Sequence, residues 1–264
     1  MVPDFEVFAL RYATVQRQRR ENFIADPDPH EAPMPMDYFV WVLRGAGRVV
    51  LVDTGFNRKA AEQRRRHFLR CPIESLSLLG IAAADVEDVI LTHLHYDHAG
   101  NIDKLPNARF HLQEGELHYA VGRYMAYKPL RHSFSVLDLK LMVERVYDER
   151  VTFYNGDAEF APGIELLHIG GHTQGLQAVR VHTERGWIVL ASDASHFYDN
   201  ICCDAPFPIV HDVGAMLAGF RTVVRMADGP DHVVPGHDPQ VLQRFEPLGG
   251  GVTEVVALHR LVDR

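Results

Sequence analysis

The chain has 264 residues, 47% of them apolar and 23% charged, with a net charge of −8. That length allows one domain with a full hydrophobic core, and no apolar run approaches the roughly 20 residues of a membrane-spanning helix, so a soluble protein with no membrane partner is expected. The acidic balance argues against a nucleic-acid partner, which requires phosphate-neutralising Lys and Arg.

The first residues, Met1-Val2-Pro3-Asp4-Phe5-Glu6, contain no basic region followed by an apolar stretch, so no secretory signal is expected and a cytoplasmic location is the default. The three cysteines, Cys71 and the adjacent Cys202-Cys203, are odd in number and poorly spaced for a disulfide framework; they read as free thiols.

Phe5 to Tyr12 alternates apolar and polar residues and predicts a half-buried strand. The segment from Ala25 to Met36 carries four prolines, which forbid helix and central strand and force an extended loop. It serves either as a surface connection or as a lid, with Met34 and Met36 offering an adaptable apolar wall. Tyr38 to Leu43 and Val49 to Val52 predict a hairpin, ending in Asp53-Thr54-Gly55. There Gly55 supplies a backbone conformation closed to other residues, and Asp53 is placed to orient a metal-binding histidine. Arg64-Arg65-Arg66 reads as the solvated face of a helix from about Arg58 to Leu69. A short helix near Ile73 to Leu79 follows, and Val86 to Leu91 is a continuous apolar strand running directly into His93.

Further along, Ala108 to Leu112 predicts a strand, and Glu114 to Arg123 and Val136 to Val146 predict helices; Tyr124, Met125, Tyr127 and Phe134 between them read as core. Strands are expected at Val151 to Tyr154, Ile164 to Ile169, Leu176 to Val181 and Trp187 to Ala191, then a helix at Val213 to Met226 and a short strand at His232 to Val234. Residues 1–248 are expected to form one domain, with 249–264, opening on Gly249-Gly250-Gly251, a flexible linker and short terminal segment. In both halves, polar metal-capable residues follow apolar strands, where an α/β architecture presents its chemistry.

The densest such group is Thr92-His93-Leu94-His95-Tyr96-Asp97-His98-Ala99-Gly100-Asn101. In an extended segment, His93 and His95 at i and i+2 point to one side, so two imidazoles can grip one ion. If the chain turns at Ala99-Gly100-Asn101, Asp97 and His98 face a second point, and one short stretch supplies halves of two neighbouring metal sites.

The spacing of His93, His95, Asp97 and His98 resembles the signature of the metallo-β-lactamase superfamily. Gly170-Gly171-His172-Thr173, Ala191-Ser192-Asp193 and Pro235-Gly236-His237-Asp238 are similar to its later ligand segments. The resemblance implies an α/β, four-layer αββα sandwich of two mixed β-sheets flanked by helices. It also implies two divalent metal ions, one held by His93, His95 and His172, the other by Asp97, His98 and His237, with Asp193 between them. Nitrogen and carboxylate donors suit zinc first, and also manganese, cobalt or iron.

Within the superfamily the chain is most similar to the N-acyl homoserine lactone lactonases and related small-lactone hydrolases. The resemblance implies a small-molecule substrate, a lactone opened by a metal-bridging hydroxide, with Asp97 carrying a proton to the leaving group, and it is compatible with a homodimer. One departure is informative. Those lactonases usually carry a tyrosine three residues after the bridging aspartate, and here that position is His196; either His196 or nearby Tyr198 is the candidate to polarise the substrate carbonyl. The alternatives are a hydrolase of another small carbonyl substrate (cyclic amide or imide, or thioester) or of a phosphodiester, and a non-catalytic metal-binding protein.

Overall fold

The computed structural model describes residues 2–24 and 31–261. Strands β1 (Glu6–Val15), β2 (Met36–Gly45) and β3 (Arg48–Val52) form an antiparallel meander, and the short β4 (His67–Phe68) pairs with β1. Strands β5 (Asp88–Ile90), β6 (Arg109–Gln113) and β7 (Val151–Tyr154) continue the sheet in parallel from β3. A second sheet runs through β8 (Ala158–Ala161), β9 (Ile164–His168), β10 (Gln177–Thr183) and β11 (Gly186–Ser192), antiparallel throughout, and ends on β12 (Val233–Pro235), parallel to β11. Strands β13 (Phe245–Gly249) and β14 (Val252–Leu261) then return to the first sheet, where β14 pairs antiparallel with β1.

The period-two pattern of the strands assigns the layers. Along β1 and β2, Val7, Ala9, Phe39, Trp41 and Leu43 face the second sheet and meet Ile164, Leu166, Val179, Val181, Ile188 and Leu190 in a shared core. The intervening residues Phe8, Leu10, Tyr12, Tyr38, Val40 and Val42 face the opposite way and pack with Tyr119 and Met142 from the helices Glu114–Val121 and Val136–Tyr147. On the outer face of the second sheet, Leu167, Ala178, Val189 and Ala191 pack against Val223 of the helix Val213–Met226. Two mixed sheets with helices outside each is the four-layer arrangement implied by the sequence.

Several local expectations change. The tail is not a linker: Gly249, Gly250 and Gly251 all have positive φ and make the turn of a hairpin. Val255, Val256 and Leu258 beyond them are fully buried, because the edge of β1 would otherwise expose both its backbone and apolar side chains. The basic helix spans only Arg58–Arg64, since Arg65 takes a left-handed conformation (φ 56°, ψ 47°) and closes it. Arg64 and Arg66 are therefore half-buried rather than a solvated face, and only Arg65 is exposed. Phe134 is core as expected, but Tyr127 is exposed. Residues 25–30 of the proline-rich segment lie outside the described residues; beyond them Met36 opens β2 as a buried residue, and Met34 packs against the core.

Leu258 tests the tail's place in the core. Leu258→Ala should cost about 2–5 kcal/mol of unfolding free energy in urea titration, as for other buried leucines; a shift under about 0.5 kcal/mol, the range of surface changes, would mean that the hairpin is dispensable.

Candidate metal centre

The metal-capable residues leave the carboxyl ends of strands on one edge of the sandwich. The stretch His93–His98 follows β5, His172 follows β9, Asp193 follows β11 directly and His237 follows β12. Parallel pairing of β3 with β5 and of β11 with β12 aligns these ends, so loops distant in sequence converge.

Three imidazole nitrogens meet at one point. His93 Nε2 and His95 Nδ1 are 3.1 Å apart, and His172 Nε2 lies 3.2 Å from the first and 2.9 Å from the second. Burial first, then the neighbouring imidazoles, hold His93 and His95 well below the ordinary histidine range, so both rings are neutral and present lone pairs. Beside them, Asp193 turns its two oxygens to different partners: Oδ2 lies 3.2 Å from His172 Nε2 and 3.8 Å from His93 Nε2, while Oδ1 lies 3.2 Å from His98 Nε2 and 3.0 Å from His237 Nε2. Asp97 Oδ2 is 4.0 Å from His98 Nε2.

Two groups of donors thus share one carboxylate. His93 with His95 and His172 form one group whose atoms could hold a metal ion, and Asp97 with His98 and His237 form another. The fit to cations shows in the orphaned atoms: His98 Nε2 and Asp193 Oδ1 are both buried without a hydrogen-bond partner among the described residues, a costly state unless a cation satisfies them. Burial opposes charge on Asp193, yet His237, His98, His196 and His172 hold its carboxyl well below the usual range.

The far side of each ring fixes which nitrogen carries the lone pair. His98 Nδ1 donates to Asp53 Oδ2 at 2.7 Å, His172 Nδ1 to the Ile209 carbonyl at 2.7 Å, and His237 Nδ1 to the Asp37 carbonyl at 2.8 Å, leaving each Nε2 directed at the cluster. Asp53 is fully buried at the end of β3 and also accepts from the Thr92 backbone N–H (2.7 Å) and hydroxyl (2.8 Å). It adopts φ 62°, and Ser192, just before Asp193, adopts φ 47°; such non-glycine left-handed residues cost of order 1–3 kcal/mol each and persist where surrounding bonds over-determine them. Gly55 has φ 63° and a Cβ there would lie 2.8 Å from both Tyr12 and Pro72, which accounts for the glycine after Asp53-Thr54. A Cβ on Gly236 would lie 2.9 Å from Asp193 Oδ1, so that glycine keeps the shared carboxylate accessible.

A cavity of about 180 Å³ opens onto the cluster, lined by His95, Asp97, His172, Asp193, His196 and His237 together with Arg17, Met36, Tyr38, Arg64, Arg66, Tyr96, His132, Ser133 and Ile209. His196 is brought to the cluster but faces Asp193: its Nε2 is 2.9 Å from Oδ2, and its ring stacks on Phe207 with centroids 3.5 Å apart. Burial pushes this imidazole down to about 3, so the neutral ring donates its Nε2 proton to Asp193 and has no second N–H for a substrate carbonyl. Tyr198 is not brought to the cavity. Its ring lies in the core between the sheets with the Arg244 guanidinium 3.7 Å from its centroid, because the short helix Tyr198–Cys202 turns it inward.

Glu116, Tyr38, Tyr96 and Arg17 were not singled out as site residues by sequence reasoning, and Arg64 and Arg66 were read only as part of a solvated helix face. Glu116 is fully buried and accepts from the backbone N–H groups of Leu94 (2.9 Å) and Gly175 (3.0 Å), tying the His93 and His172 loops together. A charged residue predicted on a helix near the motif was the only available signal for it. Tyr96 lay inside the motif itself, but its hydroxyl partner Arg66 (3.2 Å) depends on the turn at Arg65.

The family model of the metallo-beta-lactamase superfamily matches residues 34–240. The chain belongs to that superfamily. An N-acyl homoserine lactonase of Bacillus sp is 31% identical over 51% of this chain and 49% of its own length, and one of Agrobacterium fabrum is 36% identical over 48% and 47%. The chain thus spans about half the length of the curated relatives it matches. A solved N-acyl homoserine lactone hydrolase, with the product N-hexanoyl-L-homoserine bound at its catalytic metal centre, superposes with a TM-score of 0.74 at 20% identity, covering 92% of this chain and 96% of that one. Among the described residues, no helix is long and apolar enough to cross a membrane.

Asp53 provides a direct check on the orienting bonds. Asp53→Asn should weaken metal binding about 10–100-fold, the usual effect of losing a ligand's hydrogen-bond partner, measured by competition with a chromogenic chelator; unchanged affinity would detach Asp53 from the centre.

Proposed function

We propose that this member of the superfamily is a metal-dependent hydrolase that opens a small lactone. The observation that carries the reading is Asp193, whose two carboxylate oxygens each face a separate group of pre-oriented imidazoles at 3.0–3.2 Å. His93, His95 and His172 would hold one divalent cation, Asp97, His98 and His237 a second, and Asp193 would contact both. The nitrogen and carboxylate donors suit zinc, with manganese, cobalt and iron as chemically acceptable substitutes. Such cations, when bound, supply Lewis acidity and a nucleophilic water at neutral pH.

The chain's own residues set the rest. Water adds to the ring carbonyl, the carbonyl carbon–ring oxygen bond breaks, and the products are a carboxylate and a hydroxyl. Asp97 lines the cavity and is half-buried, placed to carry a proton to the departing ring oxygen. His196 holds the Asp193 carboxylate in place through its Nε2–H. Sequence similarity to N-acyl homoserine lactonases supports a lactone over a thioester or cyclic amide.

A pH-indicator assay over a panel of lactones tests the proposal. Ring opening should require metal, fall at least ~100-fold after chelation and in Asp193→Asn, and return on adding Zn2+ only in the wild type. Hydrolysis that persists in the chelated, metal-free protein would contradict the proposal.

A further inference from the structure

The cavity has a cationic wall that a neutral lactone does not require. Arg17, Arg64 and Arg66 line it together with the metal-capable cluster, in a chain whose net charge is −8. Several other arginines of this protein find carboxylates: Arg11 with Asp37, Arg44 with Glu6, Arg70 with Glu254 and Arg180 with Glu165. Among the described residues, none of the three cavity arginines has a carboxylate within ion-pairing distance. Arg66 also feels the charge of Asp97, but that carboxylate belongs to the candidate metal centre.

The wall is held in shape by neutral groups. Arg66 Nε donates to the Tyr96 hydroxyl at 3.2 Å and its Nη1 to the Arg64 carbonyl at 3.0 Å, which leaves Nη2 without a hydrogen-bond partner among the described residues. Arg64 lies over the Tyr96 ring, 3.8 Å from its centroid, and donates to the carbonyls of His132 (3.0 Å) and Phe134 (3.3 Å). Arg17 Nη1 reaches Asn22 Oδ1 at 3.0 Å. Guanidinium groups fixed by neutral partners keep their full charge for a carboxylate or phosphate oxyanion, to which they donate in pairs. On the other side of His95 and His172, the adjoining cavity of about 100 Å³ is lined by Tyr119, Pro129, Leu130, Pro208 and Val210, too small to enclose a long acyl chain.

We propose that the substrate is a small anionic lactone, whose carboxylate or phosphate is held by Arg66 and Arg17 while the ring carbonyl faces the cluster around Asp193. This rests on the lactone-hydrolase reading, and it assigns Arg66 and Arg17 as determinants of specificity. Arg64, spent on backbone carbonyls and on Tyr96, shapes the wall and adds charge. Selectivity comes from desolvating an oxyanion only where cations await it, so a neutral analogue leaves these arginines unpaired.

Matched pairs test the proposal on the metal-loaded protein. The carboxylate arm compares a γ-lactone bearing a ring carboxylate with its carboxamide; the phosphate arm compares a γ-lactone bearing a phosphorylated hydroxymethyl group with the free alcohol. In parallel, calorimetry measures binding of the non-hydrolysed γ-lactam carboxylate and phosphate and of their neutral counterparts. The anionic member of one arm should be preferred at least ~10-fold in kcat/KM, mainly through KM, and that arm identifies the anion. Arg66→Gln and Arg17→Gln should each cut the anionic-to-neutral ratio about tenfold, with Arg66→Lys restoring part of it, an outcome that a purely structural role would not give. Equal use of anionic and neutral lactones by the wild type, or a ratio unmoved by both Gln variants, would overturn the proposal. If no lactone is hydrolysed, the lactone reading falls alone provided that the lactams still bind with an Arg66-dependent anionic preference. Without that preference the anionic inference falls as well.

Discussion

One buried carboxylate governs this structure. Asp193 stands between two sets of imidazoles, with a separate oxygen turned to each, and its Oδ1 and the facing His98 Nε2 have no hydrogen-bond partner among the described residues. A protein interior tolerates such orphaned atoms only where something else satisfies them. The demand for positive charge at this point explains why three of the surrounding rings spend Nδ1 on an acceptor behind them, and why glycine occupies position 236.

The fold serves to hold that geometry. Two mixed sheets packed face to face bring the carboxyl ends of β3, β5, β9, β11 and β12 to one edge, and the left-handed residues Asp53 and Ser192 sit at that edge. Strain there is offset by the Asp53–Thr92–Ser192 hydrogen bonds, which run across the gap between the two sheets, and by Glu116, which fastens two ligand loops by their backbone. The same fixing bonds that hold the rings also limit them to one role. His196, stacked on Phe207 and bonded to Asp193, steadies the carboxylate in the proposed mechanism and leaves the contact with substrate to other residues of the cavity.

Much of this was legible in the sequence, and what was not shares a cause. An alternating pattern located β1, apolar runs located β2, β3 and the second sheet except β8, and the His93-x-His95-x-Asp97-His98 spacing declared the metal-capable cluster because local geometry alone sets it. The convergence of His172, Asp193 and His237 came by resemblance, since no local rule brings loops so far apart together. Misreadings arose where a tertiary partner decides the outcome. Three glycines in a row at 249–251 suit a linker as well as a hairpin turn, and only the open edge of β1 selects the hairpin. The Arg64–Arg66 run suits a solvated helix until Arg65 turns left-handed and rotates Arg66 toward Tyr96. Tyr198 lies two residues from His196 in sequence, but the helix that it opens points its ring into the core instead of the cavity.

Two groups of side chains therefore divide the labour: donors around Asp193 that fit cations, and arginines that fit an anion. The first is the more fundamental, and anomalous X-ray diffraction from crystals of the metal-loaded protein tests it most directly. Two anomalous peaks about 3.5–4 Å apart, one bounded by His93, His95 and His172 and the other by His98 and His237, with Asp193 contacting both, is the predicted result. A single peak, or metal bound away from Asp193, would contradict the account.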